Sequence, residues 1–280
     1  MNFIFIILTF LISAVIARIL IPRILLISLR KKLFDIPDDR KIHKRAIPRL
    51  GGVSFFPTTL FAFCLVYAFR LLDGNSISTL YASYLLPELL LFACGMTLLY
   101  LTGIADDLVG VRYRQKFAIQ IFCACLFPLS GLWINDLYAI NLIDGIDGLA
   151  SGLSSVALLV FTFLFISKGL WSYAMLSAGT FGVLVPFFYY NVFGSVERAR
   201  KIFMGDTGSL TLGYTLSFLA IKYSQHNTDI MPYTEGAFLI AFSTLIIPAF
   251  DVVRGVLVRI REGHSPFEPD KIYILHKLLA

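Results

Sequence analysis

Long apolar runs alternate with short polar segments along the chain, and the runs are too continuous for the amphipathic elements of a soluble domain. Eight of them, at about 2–29, 51–72, 85–105, 117–134, 149–167, 170–190, 208–223 and 236–253, approach or exceed the roughly 20 mostly apolar residues that a bilayer-spanning helix needs. The pattern predicts an all-α fold, a polytopic membrane helix bundle in which residues 1–280 form one integral membrane domain. The first run has no basic segment before it and no small-residue cleavage site after it. It reads as a retained helix rather than a signal peptide.

Composition sharpens this picture. Hydrophobic residues make up 58% of the chain and charged residues 15%, with a mean hydropathy of +0.79. Soluble domains carry roughly 25% charge. A soluble enzyme, a disordered regulator and a nucleic-acid-binding domain are thereby excluded, and the net charge of +6 reads as loops gathered on one membrane face. The four cysteines, Cys64, Cys94, Cys123 and Cys125, lie inside apolar runs without zinc or disulfide spacing and read as small apolar residues.

Lysine and arginine are unevenly placed. They cluster in 30–49 (Arg30, Lys31, Lys32, Arg40, Lys41, Lys44, Arg45, Arg49), in 106–116 (Arg112, Arg114, Lys116), in 191–204 (Arg198, Arg200, Lys201) and from Arg254 onward, and are absent from 73–84 and 224–235. The positive-inside rule makes the first four segments cytoplasmic and the last two external. Counting crossings then produces a conflict. If 117–134 crosses once, 135–148 is external, and so is the basic 191–204 loop. One crossing is missing between about 117 and 148. Either 117–138 folds back as a re-entrant segment, bending at Pro128 or Gly131, or it crosses straight and the chain lacks a helix. The apolarity of 117–134 favours the straight crossing.

The chemistry is concentrated at the ends of the runs. Five polar segments stand out: Asp35–His43 running on to Pro48–Gly52; Gly103–Gly110 with Asp106 and Asp107, followed by Arg112 and Lys116; Asn141–Ala150 with Asp144 and Asp147; Phe203–Leu210 with Asp206; and Asp251–Arg254 followed by Gly263–Asp270 and His276. Each has an ordinary reading. Asp106 and Asp107 could cap a helix end, Asp144 and Asp147 could be turn residues, Gly205–Gly208 could be an N-cap, and the 30–49 run could be a surface patch. Carboxylates at a membrane boundary are, however, usually paired, metal-bound or functional. Here they share their segments with cations, a combination suited to a nucleoside diphosphate with Mg²⁺.

In order and spacing these segments resemble the polyprenyl-phosphate N-acetylhexosamine-1-phosphate transferases, glycosyltransferase family 4. The resemblance is carried by D-x-P-x-x-R-K-x-H at Asp35–His43, the Asp106-Asp107 pair, N-x-x-D-G-x-D-G-L-A at 141–150, F-M-G-D-T-G-S at 203–209 and S-P-F-x-P-D at 265–270. The last favours the N-acetylglucosamine branch over the MurNAc-pentapeptide branch. The resemblance implies transfer of N-acetylhexosamine-1-phosphate from a UDP-N-acetylhexosamine to undecaprenyl phosphate, with release of UMP, at the cytoplasmic face of a bacterial cytoplasmic membrane. It implies Mg²⁺, with Mn²⁺ as a substitute, held by Asp206 and Asp106. It places Asp106, Asp107 and His276 in catalysis, and Lys41, His43, Lys116, Asn141, Asp144, Asp147, Arg254 and Ser265 against the substrates. The partners it implies are the UDP-sugar, the lipid phosphate, the bilayer and a second copy in a homodimer, with no nucleic acid. Asp106 or Asp107 could also serve as a base or as a covalent nucleophile.

Two departures bear on activity. Members of the family have a further loop and helix between the Asp-Asp pair and the N-x-x-D-G motif, where the charge count also finds a crossing missing. The closing motif here reads Pro269-Asp-Lys-Ile-Tyr-Ile-Leu-His276, with Tyr273 and Leu275 where histidines are expected, and the family's further C-terminal helices have no counterpart before Ala280. A decayed, inactive member is the first rival reading. A transporter with interfacial carboxylates is the second, disfavoured because no internal repeat is present and the carboxylates sit at span ends.

Overall fold

The computed structural model describes residues 2–31, 33–35, 47–73, 79–132, 149–195, 200–225, 237–243 and 261. The described chain is helical apart from a two-residue antiparallel pairing, Phe34 with Pro48 and Asp35 with Ile47, and a short 3-10 turn, Leu50–Ser54. The helices are α1 (Asn2–Arg30), α2 (Phe55–Leu72), α3 (Thr79–Val109), α4 (Tyr113–Leu129), α5 (Leu149–Ser167), α6 (Trp171–Val192), α7 (Gly205–Ser224) and α8 (Ala237–Ser243). Five stretches are long and apolar enough to cross a membrane: Asn2–Arg30, Leu50–Leu72, Ala82–Val109, Ala150–Ser167 and Trp171–Val192. The chain is a multi-pass, all-α membrane bundle.

Burial follows the logic of a bilayer. On α1, Thr9, Ser13, Ala17, Ile21 and Leu25 form a buried stripe with four-residue spacing. The opposite face presents Ile4, Ile7, Leu11, Val15 and Ile19 outward. The small residues let α1 lie close to α6, where Gly182 leaves no room for a side chain against the Phe10 carbonyl. Helices in lipid associate through such small-residue contacts because apolar surface alone gives them no preference for each other. The two helices run parallel: Phe3 stacks edge-on to Trp171 at 5.4 Å, Phe10 on Phe181 at 5.4 Å, and Arg18 lies over Tyr189 at 5.4 Å.

The centre of the bundle is α7. From Thr207 to Tyr223 every residue except Gly213 is buried, although the helix carries Asp206, Lys222, Tyr214 and several threonines and serines. Its hydroxyl groups bond back to their own helix, as Thr211 does to the Thr207 carbonyl at 2.8 Å and Thr215 to that of Thr211 at 2.8 Å. This satisfies them without a partner helix.

The contacts of α4 and α5 bear on the crossing conflict. Helix α4 is an unbroken run of 17 residues. At its start Lys116 reaches Asp206, the first turn of α7. At its end the Gly131 carbonyl accepts from Gln225 Nε2, just past the last turn of α7, at 2.8 Å. It therefore runs the full length of α7, straight. Pro128 lies in its last turn and bends nothing. Gly131, at φ +85°, ends it in a Schellman arrangement in which the Leu132 amide donates to the Phe127 carbonyl at 3.0 Å. Up to Leu129 the segment is one helix without a bend; residues 133–138, on which the choice between a straight crossing and a fold-back also depends, lie outside the described residues.

The single-crossing count is corrected at the next step. The start of α5 is back at the end of the bundle where α4 began: Gly152 faces Phe188, near the end of α6, and Asn191 there donates to the Ile202 carbonyl at 3.0 Å. The far end of α5 meets the far end of α7 through Phe165 and Tyr223, 5.7 Å apart. Leu132 and Leu149 therefore lie at opposite ends of the bundle. The loop after α6, which the count made external, returns to the end that carries Lys116, in agreement with its charge.

Candidate active site

Three helix ends and one loop meet where α3 stops and α7 starts. The loop comes first. The Gly51 amide donates to the Phe203 carbonyl at 2.9 Å, the Gly52 amide to that of Met204 at 2.8 Å, and the Phe203 amide to that of Pro48 at 2.8 Å. This backbone ladder fastens the end of the first motif to the start of the fourth. Only glycine fits at position 52, because a side chain there would overlap the backbone of Gly208. Gly205, at φ +72° and against the Arg49 carbonyl and the Asp107 carboxylate, turns the chain into α7.

Asp107 holds the first turn of that helix. Its Oδ1 accepts from the Asp206 amide at 2.8 Å, and its Oδ2 from the Thr207 amide at 3.0 Å and the Thr207 hydroxyl at 2.5 Å. The opening amides of a helix lack intrahelical partners and favour an anion. No local side chain caps α7 at Met204, so a carboxylate from another helix does so. The expectation of a local N-cap at Gly205–Gly208 is corrected to a cap supplied from α3. Asp107 is an anchor, with three hydrogen bonds already on its two oxygens.

Asp106 and Asp206 point elsewhere. Asp106 Oδ1 accepts from the Val111 amide at 2.6 Å, which fastens the turn at Gly110 after α3. Its Oδ2 and Asp206 Oδ1 converge on Lys116 Nζ, at 2.8 and 2.5 Å. The side chains of Lys116, Asp106 and Asp206 retain 17%, 12% and 34% exposure, so the cluster opens to solvent on the Asp206 side. Among the described residues Asp106 and Asp206 share the Lys116 ammonium, and Asp107 lies beside them on the first turn of α7.

Two carboxylate oxygens from different helices thus converge on a single cation position. An all-oxygen donor pair suits Mg²⁺, which is commonly held by one or two carboxylates together with substrate phosphates and water. Among the described residues no group of three or more His, Cys, Asp or Glu side chains that could hold a metal ion is present, and the position between Asp106 and Asp206 is taken by the Lys116 ammonium.

Of the residues singled out from the sequence, Asp106, Asp107, Lys116 and Asp206 come together. Lys41, His43, Asn141, Asp144, Asp147, Arg254, Ser265 and His276 lie outside the described residues. Sequence reasoning missed the part played by Thr207. The only signal was its place in the first turn of α7, and a partner from a helix about a hundred residues earlier leaves no local trace.

Residues 127–224 match the family model described as glycosyl transferase family 4. Over 98% of its length the chain is 28% identical to a protein of Bacillus subtilis (strain 168) named probable undecaprenyl-phosphate N-acetylglucosaminyl 1-phosphate transferase, covering 77% of it. Proteins of Yersinia pestis and Escherichia coli (strain K12), both named undecaprenyl-phosphate alpha-N-acetylglucosaminyl 1-phosphate transferase, are 26% and 27% identical over 90% and 88% of this chain, covering 71% and 69% of theirs.

Proposed function

Because residues 127–224 match the glycosyl transferase family 4 model and the chain is similar over nearly its whole length to a protein named as such a transferase, we propose that it transfers N-acetylglucosamine-1-phosphate from UDP-N-acetylglucosamine to undecaprenyl phosphate at the cytoplasmic face of a bacterial membrane. The observation that carries the reading is the convergence of Asp106 and Asp206, from α3 and α7, on the Lys116 ammonium. The concentration of basic residues at this end, Arg30, Lys31, Arg49, Arg112, Arg114, Arg200 and Lys201 among them, supports the cytoplasmic orientation.

In this reaction an oxygen of the lipid phosphate attacks the phosphorus that bears the sugar. The bond from that phosphorus to the UMP oxygen breaks. A phosphate monoester has a second pKa near 6, so the nucleophile is largely ionised at neutral pH. The site then has little need of a base, and positioning and charge neutralisation carry the rate. Asp106 and Asp206, whose oxygens share the Lys116 ammonium, would hold Mg²⁺, which would offset the charge of the diphosphate. Lys116 places an ammonium beside the same phosphates. Asp107 keeps Asp206 in place by holding the first turn of α7, and does not act as base or nucleophile. Asn141, Asp144, Asp147, Arg254 and Ser265 complete the donor side in this scheme, Lys41 and His43 the acceptor side, and His276 the loop over the donor.

The test is UMP release from UDP-N-acetylglucosamine by the purified full chain in nanodiscs containing undecaprenyl phosphate. Release that requires both substrates, stops with EDTA and returns with Mg²⁺ supports the proposal. Absence of lipid diphosphate sugar with a folded protein refutes it and favours the decayed-member reading.

A further inference from the structure

The proposed chemistry uses one end of α7, and a second set of charges lies at the other. Lys222 Nζ donates to Glu88 Oε1 at 2.7 Å, and the Tyr173 hydroxyl makes a short hydrogen bond to Glu88 Oε2. Lys222 also lies 5.1 Å from the centroid of the Tyr173 ring. All three residues are buried, Glu88 at 5%, Lys222 at 7% and Tyr173 at 1% exposure. Charges so deep in a membrane bundle are costly and are kept where they serve a purpose.

Glu88 sits on the helix that carries Asp106 and Asp107, and Lys222 on the helix that carries Asp206 and Thr207. Glu88 and Asp106 are 18 residues apart, about five turns and about 27 Å along α3, so they lie on one face. Asp206 and Lys222 are 16 residues apart, about 24 Å along α7. The antiparallel pair α3–α7 is therefore pinned by polar contacts at both ends. Between the pins the helices approach closely through glycine: Gly95 faces Tyr214, and Gly103 faces the Thr207 backbone. Apolar contacts in lipid do little to fix how far one helix slides along another. A slip of one turn, about 5.4 Å, would part Glu88 from Lys222 and, at the other end, Asp107 from the amides of Asp206 and Thr207.

We propose that Glu88 and Lys222 are positioning residues for the distant aspartate centre: their buried ion pair sets the axial register of α3 against α7 and so seats Asp107 on the first turn of α7. The kinetic readout rests on the phosphotransfer reading above; the structural readout does not.

The experiment compares three double variants of the full chain in nanodiscs, Glu88→Leu/Lys222→Leu, Glu88→Gln/Lys222→Met and the exchange Glu88→Lys/Lys222→Glu. Unfolding midpoint, kcat, KM for UDP-N-acetylglucosamine, and amide hydrogen exchange of the 203–209 segment are measured for each. Removing a buried pair as a pair leaves no orphaned charge, so the neutral pairs are expected to fold. They are expected to lose at least tenfold in kcat with KM changed less than about twofold, and to exchange at 203–209 at least tenfold faster. The exchanged pair is expected to recover both to within about threefold of the parent. A folded neutral pair with parental kcat and parental exchange overturns the proposal, as does an exchanged pair no better than the neutral ones. Failure of both neutral pairs to fold overturns it too, since the ion pair would then hold the bundle together rather than tune its far end. If the parent chain releases no UMP, the phosphotransfer reading has failed, and hydrogen exchange alone decides this one.

Discussion

The two ends of α7 carry similar groups in different balance. At Lys222 one ammonium meets one carboxylate, both side chains under 10% exposed, with a tyrosine hydroxyl completing the set. At Asp206 one ammonium meets two carboxylates among the described residues, and the cluster stays partly open. The first is closed and neutral, with its hydrogen bonds made inside the bundle. The second has surplus negative charge, an opening, and a cation position shared by two helices. Charge at a membrane helix end is therefore not itself the mark of a binding centre. Among the described residues the Asp206 end alone combines an unbalanced set of ion pairs with access from solvent.

That contrast can be broken from either side. The largest effect is expected from Asp206→Asn, which removes a charge from the open end. UMP release should fall about a thousandfold, roughly 4 kcal/mol of barrier, while the unfolding midpoint stays near that of the parent. A variant that turned over at the parental rate would remove Asp206 from the centre.

Glu88→Ala should act first on stability, alongside the loss of turnover expected from a positioning residue. It orphans Lys222 in a closed site, and breaking one side of a buried pair costs about 3–5 kcal/mol of stability. Thermal or denaturant unfolding in nanodiscs reads this, and a midpoint unchanged from the parent would mean that Lys222 finds water or another partner. Asp107→Asn sharpens the division within the open end. Asp107 is an anchor, so the variant should lower stability by about 1–3 kcal/mol through unmet helix amides, and raise amide exchange at 203–209. If it abolished turnover with stability and exchange untouched, Asp107 would be acting on substrate instead. The smallest effect belongs to Gln225→Ala, which removes the hydrogen bond to the Gly131 carbonyl at an exposed position. A loss of about 0.5 kcal/mol in stability is expected there, with kcat unchanged.

Much of this architecture is legible in the residue pattern. The runs that became α1, α2, α3, α5 and α6 are long and apolar, and the bilayer leaves such segments little choice but to span as helices. The charge asymmetry placed 106–116 and 191–204 on one face, and the structure brings Lys116 and the loop before Asp206 together there. The count of crossings found one missing between about 117 and 148, and the structure puts Leu132 and Leu149 at opposite ends of the bundle, with residues 133–148 outside the described residues. Apolarity is a weak guide to that part of the bundle: α7, the most thoroughly buried helix, is rich in threonine, serine and glycine, since a helix surrounded by other helices has no need to match lipid.

The amino-acid order by itself determined that the protein lives in a membrane, that its carboxylates gather at helix ends beside lysine and arginine, and that its motifs follow the order of a transferase family. These follow from local composition, because partition between water and lipid acts on each segment in turn. Tertiary structure alone decided which aspartate faces the Lys116 ammonium and which anchors the first turn of α7. Asp106 and Asp107 are adjacent in sequence and chemically the same. They differ because one residue along a helix is about a 100° rotation, which turns Asp107 onto the unpaired amides of α7 and leaves Asp106 facing Lys116 and Asp206. The same physics made Glu88 and Lys222 a closed pair across 134 positions of sequence: charges forced out of water are stable only where packing supplies the opposite sign.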